Sequence, residues 1–194
     1  MNLENKNMHH IDKGQLRKLA LSKRDNTDTV YREKSGKIIA EKLLMSPLVK
    51  SAELIMCYCS FRSEVATGEI ISALEAMGKK LCFPVCGKNG IMQAWHPENR
   101  DAWKAGMMGI CEPDVEKSEL INPEDIELVI CPMVAFDGQR LRMGYGGGYY
   151  DRYLPKCIKA VKIGIAFEIQ RMEELITDSY DCPMDIIITE ENVY

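Results

Sequence analysis

The segment Arg142-Met143-Gly144-Tyr145-Gly146-Gly147-Gly148-Tyr149-Tyr150-Asp151-Arg152 constrains this chain more than any other. Four glycines in five positions let the backbone take up positive φ and bring successive N–H groups into one concave row. Such a row binds anions, phosphate above all. The apolar run from Leu128 to Phe136 before it reads as a buried strand, and Tyr149 onwards reads as a helix start. The glycines therefore form a strand-to-helix turn, where a helix N-terminus adds partial positive charge. Arg142 and Arg152 flank the turn as phosphate-pairing cations, and Asp151 offers a hard oxygen ligand for Mg²⁺. Glycine runs also serve as plain tight turns with stacked tyrosines. Here the company of arginine, aspartate and paired tyrosine favours a nucleotide site.

The loop is not one of the common nucleotide loops. None of the Gly-Lys pairs (Gly36-Lys37, Gly78-Lys79, Gly87-Lys88) is followed by the Ser or Thr of a P-loop, and a dinucleotide fingerprint would need glycine where Tyr149 stands.

Hydrophobic residues alternate with helical segments along the rest of the chain. A short helix is expected over 13–24, with Leu16, Leu19 and Ala20 on one face, and a second, capped by Thr27 or Asp28, runs to Met45 before Ser46-Pro47. Strands are expected at Leu54–Cys59, Lys80–Val85, Ile91–Trp95, Glu127–Cys131, Val161–Phe167 and Ile186–Thr189. Between the first two, Thr67 caps a helix carrying Ile70, Ile71, Leu74 and Met77, closed by Gly78. This order predicts an α/β, Rossmann-like three-layer sandwich around a mostly parallel sheet, with residues 1–194 as a single domain. Ligands of such sheets gather at the carboxyl ends of the strands, where Cys59 to Glu64, Phe136 to Tyr150 and Phe167 to Gln170 fall.

A net charge of −4 argues against a general nucleic-acid binder, though not against a local cationic pocket. No apolar stretch reaches the ~18 residues of a membrane span, and the N-terminal residues Glu4, His9, His10 and Asp12 lack the apolar core of a signal peptide. A cytoplasmic monomer acting on small molecules is the expectation. The eight cysteines include no Cys-x-x-Cys pair, and no histidine has ligand spacing to them, so they read as buried small hydrophobes.

Phe136-Asp137, followed by Arg142 through Arg152, resembles the 5-formyltetrahydrofolate cyclo-ligase family, whose hallmark is Phe-Asp and then Arg-Leu-Gly-x-Gly-x-Gly-Tyr-Tyr-Asp. Lys13 and Arg17, Glu64-Val65 with Thr67, Phe83-Pro84, Gly109-Ile110 with Glu112-Pro113, Gly164 with Gln170, and Asp181 with Ile188-Thr189-Glu190 follow in family order. The resemblance implies an enzyme that uses ATP and Mg²⁺ to convert 5-formyltetrahydrofolate to 5,10-methenyltetrahydrofolate, with a phosphorylated formyl group on the way.

It further implies that Lys13, Arg17 and the loop Arg142, Met143, Gly144, Tyr145, Gly146, Gly147, Gly148, Tyr149 and Tyr150 bind ATP. Asp151 and Asp181 would hold the metal. Cys59, Glu64, Met108, Tyr145 and Tyr149 would meet the folate, and Arg142, Tyr149 and Asp151 would be catalytic. Taken alone, Lys13 and Arg17 read as a solvated helix face, Asp151 and Asp181 as caps or turn residues, Glu64 as a surface carboxylate and the tyrosines as packing. Met143 replaces the usual Leu, Tyr180 stands where His is common, and Met108 where an aromatic often covers the folate. The alternatives are a non-catalytic nucleotide- or folate-binding module, and an isomerase- or transferase-like enzyme that needs no ATP.

Overall fold

Asp12 opens the first helix with a reciprocal cap: its Oδ1 accepts from Gln15 N at 2.8 Å while Gln15 Oε1 accepts from Asp12 N at 3.0 Å. The computed structural model describes residues 12–106, 109–176, 178 and 180–194. Helix α1 spans Lys13–Asp25. Thr27 closes it by donating to Arg24 O, which leaves Asp28 to cap α2, Thr29–Met45, by accepting from Val30 N at 2.7 Å. Pro47 then starts the short α3, Pro47–Ser51, where its missing N–H costs nothing.

Strand β1 is Leu54–Met56, shorter than the expected Leu54–Cys59. The chain turns after it because Thr67 Oγ1 donates to Tyr58 O at 2.8 Å and accepts from Ser60 N at 3.0 Å. The same bonds correct the expected cap: Thr67 precedes α4, Gly68–Ala76, but makes no side-chain cap, its hydroxyl being spent on the turn. There follow β2 (Lys80–Cys86), β3 (Met92–Pro97), β4 (Trp103–Ala105), β5 (Cys111–Pro113), β6 (Ser118–Ile121) and β7 (Leu128–Cys131). The apolar run expected as one strand to Phe136 breaks at Pro132, which has no N–H for a ladder. Its second half, β8 (Ala135–Phe136), pairs antiparallel with β9 (Arg142–Met143). Helix α5 is Tyr149–Tyr153, and β10 (Val161–Ile165) and β11 (Ile186–Ile188) complete the chain.

The central sheet has seven strands in the order β11-β10-β7-β1-β2-β3-β6. Strands β11, β10, β7, β1 and β2 run parallel; β3 and β6 add an antiparallel edge. Alternate side chains bury on opposite faces. Ile55, Leu128, Ile130 and Ile163 pack with Ile39, Leu43, Ile70 and Leu74 of α2 and α4. Met56, Val129, Cys131 and Ile187 pack on the other side with Tyr153, Leu154 and Met184. The mostly parallel α/β sheet is as expected. The layer on this second side, however, is the five-residue α5 and irregular segments rather than long helices. Ala20 of α1 packs with Val134, Ala135, Met143 and Leu175, so α1 lies against the β8–β9 hairpin. That contact brings the cationic stripe of α1 to the glycine loop. Among the described residues no helix is long and apolar enough to cross a membrane.

Candidate active site

Strand β1 sits between β2 and β7, and the chain leaves these neighbours in opposite directions across the sheet. The carboxyl ends of β1 and β7 therefore diverge, the place where open α/β sheets form a crevice. A cleft of ≈ 360 Å³ lies there. Tyr58 and Cys59 come to it from β1, Pro132 and Met133 from β7, Pro84 and Cys86 from β2, and the glycine loop closes one wall.

The loop is held by its carbonyls. Arg17 Nε donates to Gly144 O at 2.8 Å, and Arg152 donates to Gly147 O and, at 3.2 Å, to Gly90 O. No acceptor among the described residues takes the N–H groups of Gly144 to Gly148. The turn thus keeps a run of backbone donors for a ligand, as the glycine pattern predicts. Helix α5 is too short to add much of a macrodipole, which corrects that part of the expectation: the donors and cations carry the positive field. Gly148 has φ +62°, and a Cβ there would meet Arg152 Nη1 at 2.6 Å. We expect Gly148→Ala to cost about 1–2 kcal/mol. A lowered thermal midpoint checks this.

Arg142 is almost wholly buried, pairs through Nη2 with Asp151 Oδ1 at 2.8 Å, and lies over the Tyr150 ring. Among the described residues its Nε and the Tyr150 hydroxyl are buried without a partner. Unpaired buried polar atoms are costly unless a ligand or water satisfies them. Lys13 Nζ bridges Asp178 Oδ2 at 2.7 Å and Asp181 Oδ2 at 2.6 Å. Burial pulls its ammonium down, but the two carboxylates outweigh this and hold it above the ordinary lysine value. The Tyr149 hydroxyl donates to Gly87 O at 3.2 Å, which sets its ring against Gly147.

At the other end, Glu64 Oε2 accepts from Phe61 N at 2.8 Å. Burial pushes its carboxyl above the usual range, with that N–H, Arg24 and the Tyr145 hydroxyl pulling it back. Cys59 lines the wall, its thiol pushed up to about 12 by burial, with smaller contributions from Cys111 and Glu112.

The structure brings together Lys13, Arg17, Cys59, Glu64, Arg142 to Tyr150, Asp151 and Asp181, all lining this one cleft. Met108 lies outside the described residues. The expectation that all eight cysteines are buried needs correction. Cys57, Cys82, Cys131 and Cys157 are buried, but Cys111 is exposed and Cys59, Cys86 and Cys182 are half-buried, with Cys59, Cys86 and Cys111 lining the cleft.

Sequence reasoning missed Arg24, which is fully buried. Its Nε donates to Ser63 Oγ at 3.0 Å, Nη1 to Met133 O at 3.3 Å and Nη2 to the Tyr145 hydroxyl at 2.6 Å. One guanidinium thus ties together α1, the Glu64 turn, the end of β7 and the glycine loop. A signal existed: Lys13, Arg17, Ala20 and Arg24 recur at helical spacing on one face. Asp178 and Glu112, also cleft-lining, were likewise not assigned a role.

The 5-formyltetrahydrofolate cyclo-ligase family model matches residues 9–190. The 5-formyltetrahydrofolate cyclo-ligase of Escherichia coli K12 is 27% identical over 169 residues, covering 84% of this chain and 92% of its own. That of Mycoplasma genitalium is 30% identical over 184 residues, 92% and 98% of the two chains. Among solved structures, Aquifex aeolicus 5,10-methenyltetrahydrofolate synthetase superposes with a TM-score of 0.82 at 33% identity, over 93% of this chain and 91% of that one. The Mycoplasma pneumoniae 5,10-methenyltetrahydrofolate synthetase gives 0.77 at 25%, over 93% and 99%. With its α/β sheet, its switch-point cleft and its glycine loop, the chain belongs to the 5-formyltetrahydrofolate cyclo-ligase family.

Proposed function

We propose that this protein catalyses the ATP- and Mg²⁺-dependent cyclisation of 5-formyltetrahydrofolate to 5,10-methenyltetrahydrofolate, releasing ADP and phosphate. The observation that carries the reading is the glycine loop in the cleft wall: no acceptor among the described residues takes its N–H groups, and Lys13, Arg17 and Arg142 line the cleft beside it. They match an anionic ligand, while Glu64 at the far end matches a ligand rich in N–H donors.

A formamide oxygen is a poor leaving group, so the γ-phosphoryl passes to it first. The folate's neighbouring amine then attacks the activated carbon and phosphate departs. Transfer to so weak a nucleophile depends on position and charge neutralisation. Lys13, Arg17 and residues 142–150 would hold the phosphates, and Arg142 would neutralise charge on the group in transit. Tyr145 and Tyr149 would wall the pocket around the reacting carbon, with Glu64 and Cys59 against the pterin.

Three or more His, Cys, Asp or Glu side chains do not converge on a metal position among the described residues. Mg²⁺ needs no such cage, since one or two carboxylates plus phosphate oxygens suffice. Asp151 and Asp181 fit that role: each lines the cleft and commits one oxygen to a cation, keeping the other. The ion would neutralise phosphate charge there.

The direct test is the absorbance of methenyl product formed from 5-formyltetrahydrofolate with and without Mg-ATP. Product only with Mg-ATP supports the reading. Binding without turnover would favour a non-catalytic module, and turnover without ATP an isomerase- or transferase-like enzyme. Within this reading, Glu64→Gln is expected to raise the KM for the folate by the equivalent of about 1.5–3 kcal/mol, with little change in that for ATP. Equal effects on both substrates would remove Glu64 from the folate site.

A further inference from the structure

Ring closure releases a proton. As the amine nitrogen bonds to the activated carbon its N–H bond must break, and the carbon–oxygen electron pair leaves with the phosphate. Five carboxylates line the cleft: Glu64, Glu112, Asp151, Asp178 and Asp181. Asp151 is paired with Arg142, and Asp178 and Asp181 share Lys13. Glu64 holds Phe61 N and faces Arg24 and the Tyr145 hydroxyl. Glu112 differs from all four. Among the described residues it makes no ion pair and meets no side-chain donor, although its residue is only 7% exposed.

The fold makes room for it. Glu112 stands on β5 opposite Lys104 of β4, and its carboxylate occupies the space that a Cβ on Gly106 would fill. Its surroundings do little to satisfy its charge. Lys104 is committed to Asp114 at 2.9 Å. The Cys59 and Cys86 thiols are pushed up to about 12 and about 11, by burial first and in part by Glu112 itself, so both remain neutral neighbours. Burial raises the Glu112 carboxyl above the usual range, with the Cys86 backbone N–H and Lys104 pulling it back. A buried carboxylate that faces a cleft and has no ion pair among the described residues suits proton transfer near neutral pH.

We propose that Glu112 is the proton acceptor in ring closure, taking the proton from the folate amine as the amine bonds to the formyl carbon. The proposal rests on the cyclo-ligase reading above. It assigns Glu112 to the second chemical step only, so phosphoryl transfer does not require it.

The test is rapid-quench kinetics of wild type, Glu112→Gln and Glu112→Asp with 5-formyltetrahydrofolate and Mg-ATP, with folding verified by circular dichroism. Glu112→Gln should release one equivalent of ADP per site at the wild-type rate while methenyl product forms about 10²-fold more slowly or worse, in the range of lost general-base catalysis. Both KM values should change little. The wild-type kcat should rise with pH as the raised Glu112 carboxyl ionises. That acid limb should be absent in Glu112→Gln and retained, at a reduced plateau, in Glu112→Asp. If ADP and methenyl formation slow equally, if only KM rises, or if Glu112→Gln keeps the limb, the role is overturned. A wild-type protein that makes no methenyl product overturns the cyclo-ligase reading together with it; an active wild type with an unaffected Glu112→Gln overturns Glu112 alone.

Discussion

Asp151→Asn is expected to fold normally and to turn over about 10²–10³-fold more slowly, the usual result of removing one electrostatic stabiliser from a charge-transfer site. The shape of the side chain is kept and only its charge is lost. Two consequences act in the same direction. Asp151 Oδ1 holds Arg142 Nη2 at 2.8 Å, so the substitution weakens the ion pair that orients the guanidinium over Tyr150. It also removes one of the two carboxylates proposed for Mg²⁺. A magnesium titration of kcat at saturating ATP separates the two: a lost ligand shifts the titration to higher magnesium, whereas a misplaced Arg142 lowers the plateau alone. Wild-type rates throughout would mean that Asp151 serves neither purpose.

The same ion pairs carry an argument about how the cleft receives its substrates. Two of its three cations are already paired, Lys13 with Asp178 and Asp181, and Arg142 with Asp151, while Arg17 holds the Gly144 carbonyl. On the proposed function, an incoming phosphate with its metal would exchange partners rather than add charge: Lys13 and Arg142 would turn to phosphate oxygens, and Asp151 and Asp181 would hold the metal. Such an exchange would avoid leaving a buried charge alone, which would be the expensive alternative. It also gives the metal proposal a physical basis in this chain, because both carboxylates already stand beside the cations that phosphate attracts.

Much of this was legible in the sequence, and what was not has identifiable causes. The parallel core was readable because Ile55, Leu128, Ile130 and Ile163 belong to apolar runs that only burial on both faces explains. The glycine loop was readable because its residue types have few other uses together. The small sheets were not. Strands β4, β5, β8 and β9 have two or three residues each, too few to establish a period. Thr67 misled because the same hydroxyl that caps helices also bonds a turn carbonyl, and only the fold brings Tyr58 O within 2.8 Å. Arg24 and Glu112 were missed for a related reason. A charged side chain looks solvent-facing until tertiary packing buries it, and nothing local to residue 112 announces that Gly106 leaves space for its carboxylate.

The second large effect concerns where one oxygen atom goes. If the loop donors, Arg142 and the metal deliver the γ-phosphoryl to the formyl oxygen, that oxygen must depart with the phosphate. Substrate carrying heavy oxygen in its formyl group is then expected to yield labelled inorganic phosphate, one label per methenyl formed, read by mass spectrometry of the product phosphate. The expectation follows from the arrangement of the cleft. The loop N–H groups, which no acceptor among the described residues takes, and the cations Lys13, Arg17 and Arg142 line the cleft, so they would stabilise charge on a phosphoryl group in flight rather than on a departing hydroxide. The competing course is direct attack by the amine with loss of hydroxide, ATP hydrolysis serving only to drive a change of shape. That course sends the label to water and takes the phosphate's fourth oxygen from solvent. Label found only in water would therefore exclude the phosphorylated intermediate, while leaving Glu64 and Asp151 free to bind their ligands as proposed.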